Sequence, residues 1–147
     1  MDDVELWQKH RHELIRFAAV LCGPSEAEDV VSTVFIRILG GRGLADVEYA
    51  RAYLYRSVLN EGRTKARRRA RPLAISDLPM PPPADPQPEV LAAVLALPVR
   101  QRAATYLTYW ADLSIAETAR RMGTSPGTVK RYLHLARNTL KGVLDEH

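Results

Sequence analysis

Apolar positions in the first half of the chain recur with helical spacing. Leu14, Phe17, Ala18 and Leu21 follow the i, i+3, i+4, i+7 pattern that lines one face of an α-helix, and Gly23-Pro24 predicts its end. A second helix is predicted at once. Ser25 as N-cap with Glu28 three residues on reads as a capping box, and Val30, Val31, Val34, Phe35 and Ile38 form the apolar stripe that follows. Gly40-Gly41 and Gly43 stop it. From about Val47 a third helix carries Tyr53, Leu54, Val58 and Leu59 into a run of cations, and it is expected to fray before Pro72. The second half predicts four short helices: a break at Leu97-Pro98, a Ser114/Glu117 capping box, and Ser125 capping a helix whose first residue is Pro126. No segment alternates with period two, so the chain reads as all-α.

Between Pro72 and Glu89 stand seven prolines, including Pro81-Pro82-Pro83. Proline lacks the backbone donor and excludes its predecessor from helical geometry, so this segment is predicted to be a semi-extended linker. At about 3 Å per residue it has the reach to hold its flanks several tens of Å apart. The expected organisation is two small helical domains, residues 1–71 and 90–147, joined by a linker over 72–89.

With 147 residues in total, each module has only a small core available. Lys and Arg total 21 against 17 acidic residues, giving a net charge of +4, and both flanks of the linker are basic while the linker itself carries acids alone. That distribution suits two polyanion-binding modules around a spacer. The one cysteine, Cys22, excludes an internal disulfide and sits in an apolar run where a buried thiol is expected. The N-terminus is acidic and no apolar run approaches the ~18 residues of a membrane span. A cytoplasmic protein without membrane contact is expected.

The strongest local signal is SIAETARRMGTSPGTVKRYLHLARNTL, from Ser114 to Leu140. A helix-turn-helix needs a small residue where its helices touch, a turn residue tolerant of positive φ four positions on, and an apolar residue six further. Ala119, Gly123 and Val129 supply them. Val129, Leu133, Ala136 and Leu140 then make one buried stripe, so Lys130, Arg131, His134 and Arg137 point elsewhere. In such a motif the second helix enters the major groove, its N-terminal residues nearest the base edges and flanking cations on phosphates. Thr128, Lys130, Arg131 and His134 are candidate groove contacts, and Ser125, Gly127 and Thr128 offer backbone amides to a phosphate.

From Arg63 to Arg71 the sequence RTKARRRAR holds six cations in nine residues, too many around one circumference to be packed. The run continues a helix bearing Tyr49, Tyr53, Tyr55, Arg51, Arg56 and Asn60. Aromatics beside cations suit single-stranded nucleic acid, because bases stack on rings at about 1–3 kcal/mol each while cations hold the backbone. Tyr53 fits a core position equally well.

Together these segments resemble the extracytoplasmic-function (ECF) sigma factors of the sigma-70 family, along nearly the whole chain. EAEDVVSTVFIRIL is similar to region 2.2, the helix that in the family docks on the clamp coiled coil of the polymerase β′ subunit. ARAYLYRSVLNEGRTKARRR is similar to regions 2.3 and 2.4, which capture the −10 element, and its NEGR segment with the basic run after it resembles an actinobacterial subgroup. LPVRQRAATYLTYWADLSIAETARRMGTSPGTVKRYLHLAR resembles region 4, which reads the −35 element. The resemblance implies core-polymerase contacts at Asp29, Ser32, Thr33 and Ile36, with Ser32-Thr33 standing where the family often has Gln-Glu. It implies −10 contacts from the 40–49 loop with Tyr53, Arg56, Asn60, Arg63, Lys65 and Arg67. Ser125, Thr128, Lys130, Arg131, His134 and Arg137 fall on the −35 side. The implied partners are core RNA polymerase, through its β′ clamp and β subunits, promoter DNA, and an anti-sigma factor.

Two other classes compete. A helix-turn-helix regulator acting without polymerase accounts for the second half and leaves the first unused. An enzyme would have to use His10-x-His12, the one histidine cluster, and the chain offers no nucleophile, phosphate loop, carboxylate pair or metal-ligand spacing. A non-enzymatic protein without cofactor or metal is expected.

Overall fold

A computed structural model describes residues 2–69, 72–74, 77 and 88–145. Helix α1 spans Asp3–Cys22, and Asp2 caps it by accepting a hydrogen bond from the Glu5 amide at 2.8 Å. Its predicted stripe of Leu14, Phe17, Ala18 and Leu21 is fully buried. Helix α2 spans Pro24–Leu39 and starts one residue before the predicted cap. Pro24 takes the first helical position, where its missing amide costs nothing, so Ser25 lies inside the first turn and caps nothing. Helix α3, Ala50–Arg67, begins three residues later than the apolar pattern indicated and closes an antiparallel three-helix bundle with α1 and α2.

The second half holds α4, Pro88–Leu95, and α5, Val99–Thr105, which runs on into a π-helical turn over Tyr106–Trp110. Helices α6, Ile115–Met122, and α7, Pro126–Asp145, follow. The Ser114 hydroxyl accepts from the Glu117 amide at 3.1 Å, and the Ser125 hydroxyl from the Thr128 amide at 3.1 Å, as their caps predicted. No strand occurs among the described residues, and no described helix is long and apolar enough to cross a membrane.

The halves do not stand apart. Ala103, Ala104, Leu107, Ala119, Met122 and Val129 join the same apolar cluster as Leu14, Phe17, Val30, Leu54 and Leu59. Phe17 is the hinge of that cluster, its ring 5.0 Å from Tyr55 in α3 and 6.0 Å from Tyr106 in the π-helical turn. Two cores of this size would each bury little, and fusing them buries more apolar surface per residue. Most of the expected linker lies outside the described residues. Its start is tacked down: Leu73 is buried with Leu91 and Leu95 beneath Trp110.

The basic run is also less free than its charge implied. Helix α1 has no cation in its last turn, and its terminal carbonyls accept from distant arginines instead. Arg69 donates to the Cys22 oxygen at 2.9 Å, and buried Arg102 donates to the Leu21 oxygen at 2.7 Å and to the Leu95 oxygen at 2.8 Å. Burial pushes the Arg102 guanidinium down to about 10, with nearby Arg69 adding to it. Lys65 lies 3.6 Å from Glu26. Cys22 is buried as expected, donating to the Ala18 oxygen, and burial raises its thiol to about 11.

Glu13 joins the halves electrostatically. It accepts from Arg51 at 2.7 and 3.0 Å, lies 3.3 Å from His10 Nδ1, and meets Arg121 of α6 at 3.9 Å. Burial alone would raise its carboxyl, but hydrogen bonds from Arg51, Tyr55 and His10, with the Arg51 charge, together hold it below the usual value. A depressed folded pKa stabilises above the unfolded value and is lost as pH falls through the folded one. The urea midpoint is therefore expected to drop below about pH 4.3, the ordinary glutamate value, and Glu13→Gln should flatten part of that drop. An acid limb identical in wild type and variant would show that Glu13 carries no such linkage.

Candidate nucleic-acid interface

Three surfaces gather the residues singled out by the sequence. On α2, Asp29, Ser32 and Ile36 are exposed and Thr33 is half-buried, on the face opposite Val30, Val34 and Ile38. Ile36 is 69% exposed, and Leu39, one turn on, is 48% exposed. Leu39 was missed by the sequence reading, although its spacing from Ile36 and its place outside the buried stripe signal it. Two large aliphatic side chains beside short polar ones form a patch suited to a protein partner.

The second surface is concave. A cavity of about 290 Å³ opens between the end of α2, the loop after it and α3, lined by Arg37, Arg42, Tyr53, Ser57 and Asn60 with Val34, Ile38, Gly41 and Gly43. That volume is on the scale of one heterocycle, not a large cofactor. Tyr53, Arg56, Asn60, Arg63 and Arg67 recur at three- and four-residue steps, so α3 presents them on one side. The Arg56 guanidinium lies over the Tyr53 ring at 5.3 Å, and Tyr53 is half-buried, serving both core and cavity. Lys65 points away toward α2, and Arg63 turns toward the second half. Arg42 lies in the 40–49 loop that the resemblance implied, whereas Arg37 and Ser57 went unpredicted because separate segments bring them together. Ser57 alone carried a signal, lying between Tyr53 and Asn60 on their face.

The loop that forms one wall is fixed by α1. The Leu44 amide donates to Asp3 Oδ1 at 3.0 Å and the Leu44 side chain is buried, while Gly43 has φ +71 and no room for a Cβ beside the Asp3 carboxylate. Gly41 and Arg42 are thus left at the cavity rim.

The third surface is the outer face of α7. Val129, Leu133 and Ala136 are buried and Lys130, Arg131, His134 and Arg137 are exposed, as the stripe predicted, while Leu140 at its end is only half-buried. The Ser125 and Thr128 hydroxyls lie 2.9 Å apart in the cap. Arg137 donates to the Tyr109 hydroxyl at 3.3 Å, and Asn138 lies 3.3 Å from His134 Nε2. The turn before α7 rests on Gly123, whose φ of +66 supplies the left-handed residue the motif requires. His10 is buried against Glu13 and His12 is exposed, so the two histidines do not share a site.

Residues 6–72 match the family described as Sigma-70 region 2, and residues 88–140 match Sigma-70, region 4. The RNA polymerase sigma-E factor of Streptomyces antibioticus is 32% identical over 131 residues, covering 83% of this chain and 72% of the relative. The ECF RNA polymerase sigma factor SigM of Mycobacterium tuberculosis is 33% identical over 150 residues, covering 95% of this chain and 76% of the relative. Among solved structures, CnrH in complex with the cytosolic domain of CnrY has a TM-score of 0.68 at 27% identity, covering 97% of this chain and 86% of that one. The sigma factor RpoE of Bartonella quintana, solved with the anti-sigma factor NepR, shares the fold at a TM-score of 0.62 and 20% identity, covering 96% and 97%.

Proposed function

The chain belongs to the sigma-70 family as an RNA polymerase sigma factor of ECF type, and on that premise we propose how its surfaces divide the work. It binds core RNA polymerase and directs promoter recognition and opening at the start of transcription. Residues 1–71 form region 2, residues 90–147 form region 4, and 72–89 tether them. The α2 patch of Asp29, Ser32, Thr33 and Ile36, extended by Leu39, docks on the polymerase β′ clamp. The α3 face of Tyr53, Arg56, Asn60, Arg63 and Arg67, with Lys65 at its edge, holds the −10 strand, and the cavity between Arg42 and Asn60 takes one base out of the stack.

Unstacking a base costs a few kcal/mol, which ring stacking and hydrogen bonds in such a cavity offset. Region 4 lays α7 in the major groove of the −35 duplex with Ser125 and Thr128 at its phosphate end and Lys130, Arg131, His134 and Arg137 along it. In this role the chain makes and breaks no bond and works in the cytoplasm. CnrH carries a bound protein domain in its structure, which supports an anti-sigma factor among this chain's regulatory partners.

The observation that carries this reading is the pairing of an exposed aliphatic patch with a base-sized, arginine-lined cavity on the first half. A regulator that reads duplex DNA alone has use for neither. The test is promoter-specific transcription with purified core polymerase, beside a mobility shift on the same promoter with and without core. Transcription and a shift that both require core support the reading, and a specific shift by the chain alone without transcription sinks it.

Lys130→Ala in the holoenzyme is expected to weaken −35 duplex binding for all sequences alike and to lower the slope of log affinity against log salt by about one. Anisotropy titrations across salt concentrations check this, and an unchanged slope removes Lys130 from the phosphate contacts.

A further inference from the structure

We propose that Asp3, in the first turn of α1, is a positioning residue for base selection in the cavity beside α3, acting by holding Arg42 at the cavity rim. The proposal rests on the −10 reading above and adds to it a residue from a distant part of the chain.

Asp3 is spare for the helix it begins. Asp2 already caps α1 through the Glu5 amide, whereas half-buried Asp3 turns its carboxylate to a loop 41 residues further on. Both oxygens are engaged there. Oδ1 accepts from the Leu44 amide at 3.0 Å, and Oδ2 lies so close to Gly43 that a Cβ on that residue would stand 2.6 Å from it. On the α2 side the Gly41 and Gly43 amides both donate to the Ile38 carbonyl, each at 3.1 Å. Leu44 is buried, and its own carbonyl accepts from the Val47 amide at 3.1 Å. Gly41-Arg42-Gly43 is thereby pinned by Ile38 on one side and by Asp3 on the other, and Arg42 carries its only side chain.

Arg42 is also the cation this cavity has left to offer. Arg37, the other arginine lining it, lies 3.4 Å from Glu61, and no ion pair involves Arg42 among the described residues. A guanidinium presents a rigid fork of donors, which tells one base edge from another only when the fork is held within about 0.5 Å of its productive place. The glycines beside Arg42 leave an unanchored backbone many alternatives, and a ligand that had to order them on entry would meet that cost whatever its base. The Asp3 clamp removes the cost in advance and gives the fork one place to reach from.

The test uses holoenzyme assembled from core polymerase and the full chain. Single-stranded −10 oligonucleotides carry each of the four bases at each position in turn, and competition anisotropy reads their affinities. Wild type is expected to prefer one base about tenfold or more at one position. Asp3→Ala is expected to cut that preference to about threefold or less, with affinity for core and for −35 duplex kept. Asp3→Asn, which retains an acceptor oxygen for the Leu44 amide, should restore it. Arg42→Ala should lose the preference, and Asp3→Ala added to it should change nothing further, because Asp3 acts through Arg42. An unaltered preference in Asp3→Ala overturns the proposal, as does a loss that Asp3→Asn shares or one that adds in full to the loss from Arg42→Ala. Wild-type holoenzyme with no base preference at any position takes the base out of the cavity, and then it is the −10 reading that fails and the proposal with it.

Discussion

Ile36→Glu is expected to abolish promoter-directed transcription with core polymerase while leaving the fold intact. The side chain is 69% exposed and belongs to no buried cluster, so the isolated protein loses nothing that holds it together. Docking changes its surroundings. A carboxylate carried into the centre of a desolvated apolar contact costs about 2–5 kcal/mol, which is roughly 30-fold to several thousand-fold in affinity. Ser32 and Thr33 are short side chains, so in the proposed docking Ile36 and Leu39 would carry most of the contact. The measurements are core-polymerase affinity by titration and thermal melting of the free chain. Wild-type affinity in the variant removes the α2 patch from the polymerase contact, and a lowered melting temperature would mean that Ile36 serves the fold after all.

Phe17→Ala carries the largest expected loss of stability, about 3–5 kcal/mol, because a fully buried ring leaves a cavity that its neighbours cannot fill. Whole domains of this size are stable by only about 5–15 kcal/mol. Phe17 meets Tyr55 on one side and Tyr106 on the other, so the loss should reach both halves together. The chain's two tryptophans, Trp7 and Trp110, report one half each. In Trp7→Phe and Trp110→Phe backgrounds, denaturant transitions with and without Phe17→Ala are expected to coincide and to shift together. A shift confined to Trp7 would show that the halves unfold separately and that the shared cluster contributes little.

What sequence reading reached was whatever one segment decides by itself. The buried stripe of α1, that of α2 except for half-buried Phe35, the Ser114 and Ser125 caps, Gly123 in the helix-turn-helix and the outward cations of α7 all follow from spacing within a dozen residues. Where one proline outranked one serine, the cap moved from Ser25 to Gly23 and the start of α2 moved by two residues. The seam between the halves was not legible. Ala103 and Ala104 look like ordinary helix formers, and only tertiary contact marks them as the small residues that let α5 approach α1. Arg69 belonged to a run read as unpacked and Arg102 and Arg121 carried no signal, yet two of the three finish a helix on carbonyls and one reaches the half-buried Glu13 carboxylate. The cavity was half legible: Tyr53 and Asn60 were identified from α3 and Arg42 lies in the implicated 40–49 loop, which Leu44 ties to Asp3, whereas Arg37 reaches it unannounced from the last turn of α2. The π-helical turn after Thr105 has no sequence signal that we can identify.

The way α1 ends bears on the order in which the protein comes into being. The carbonyls of Leu21 and Cys22 accept from arginines 81 and 47 residues further along the chain. A ribosome delivers the first helix long before either donor exists, and Arg102 arrives only when the last third of the protein is under synthesis. Until then the nascent amino-terminal bundle has an unfinished helix terminus and a bare apolar flank around Phe17. Synthesis of the carboxy-terminal half is therefore the step that completes the amino-terminal one, and a polypeptide released early is an incomplete bundle, not a free-standing module.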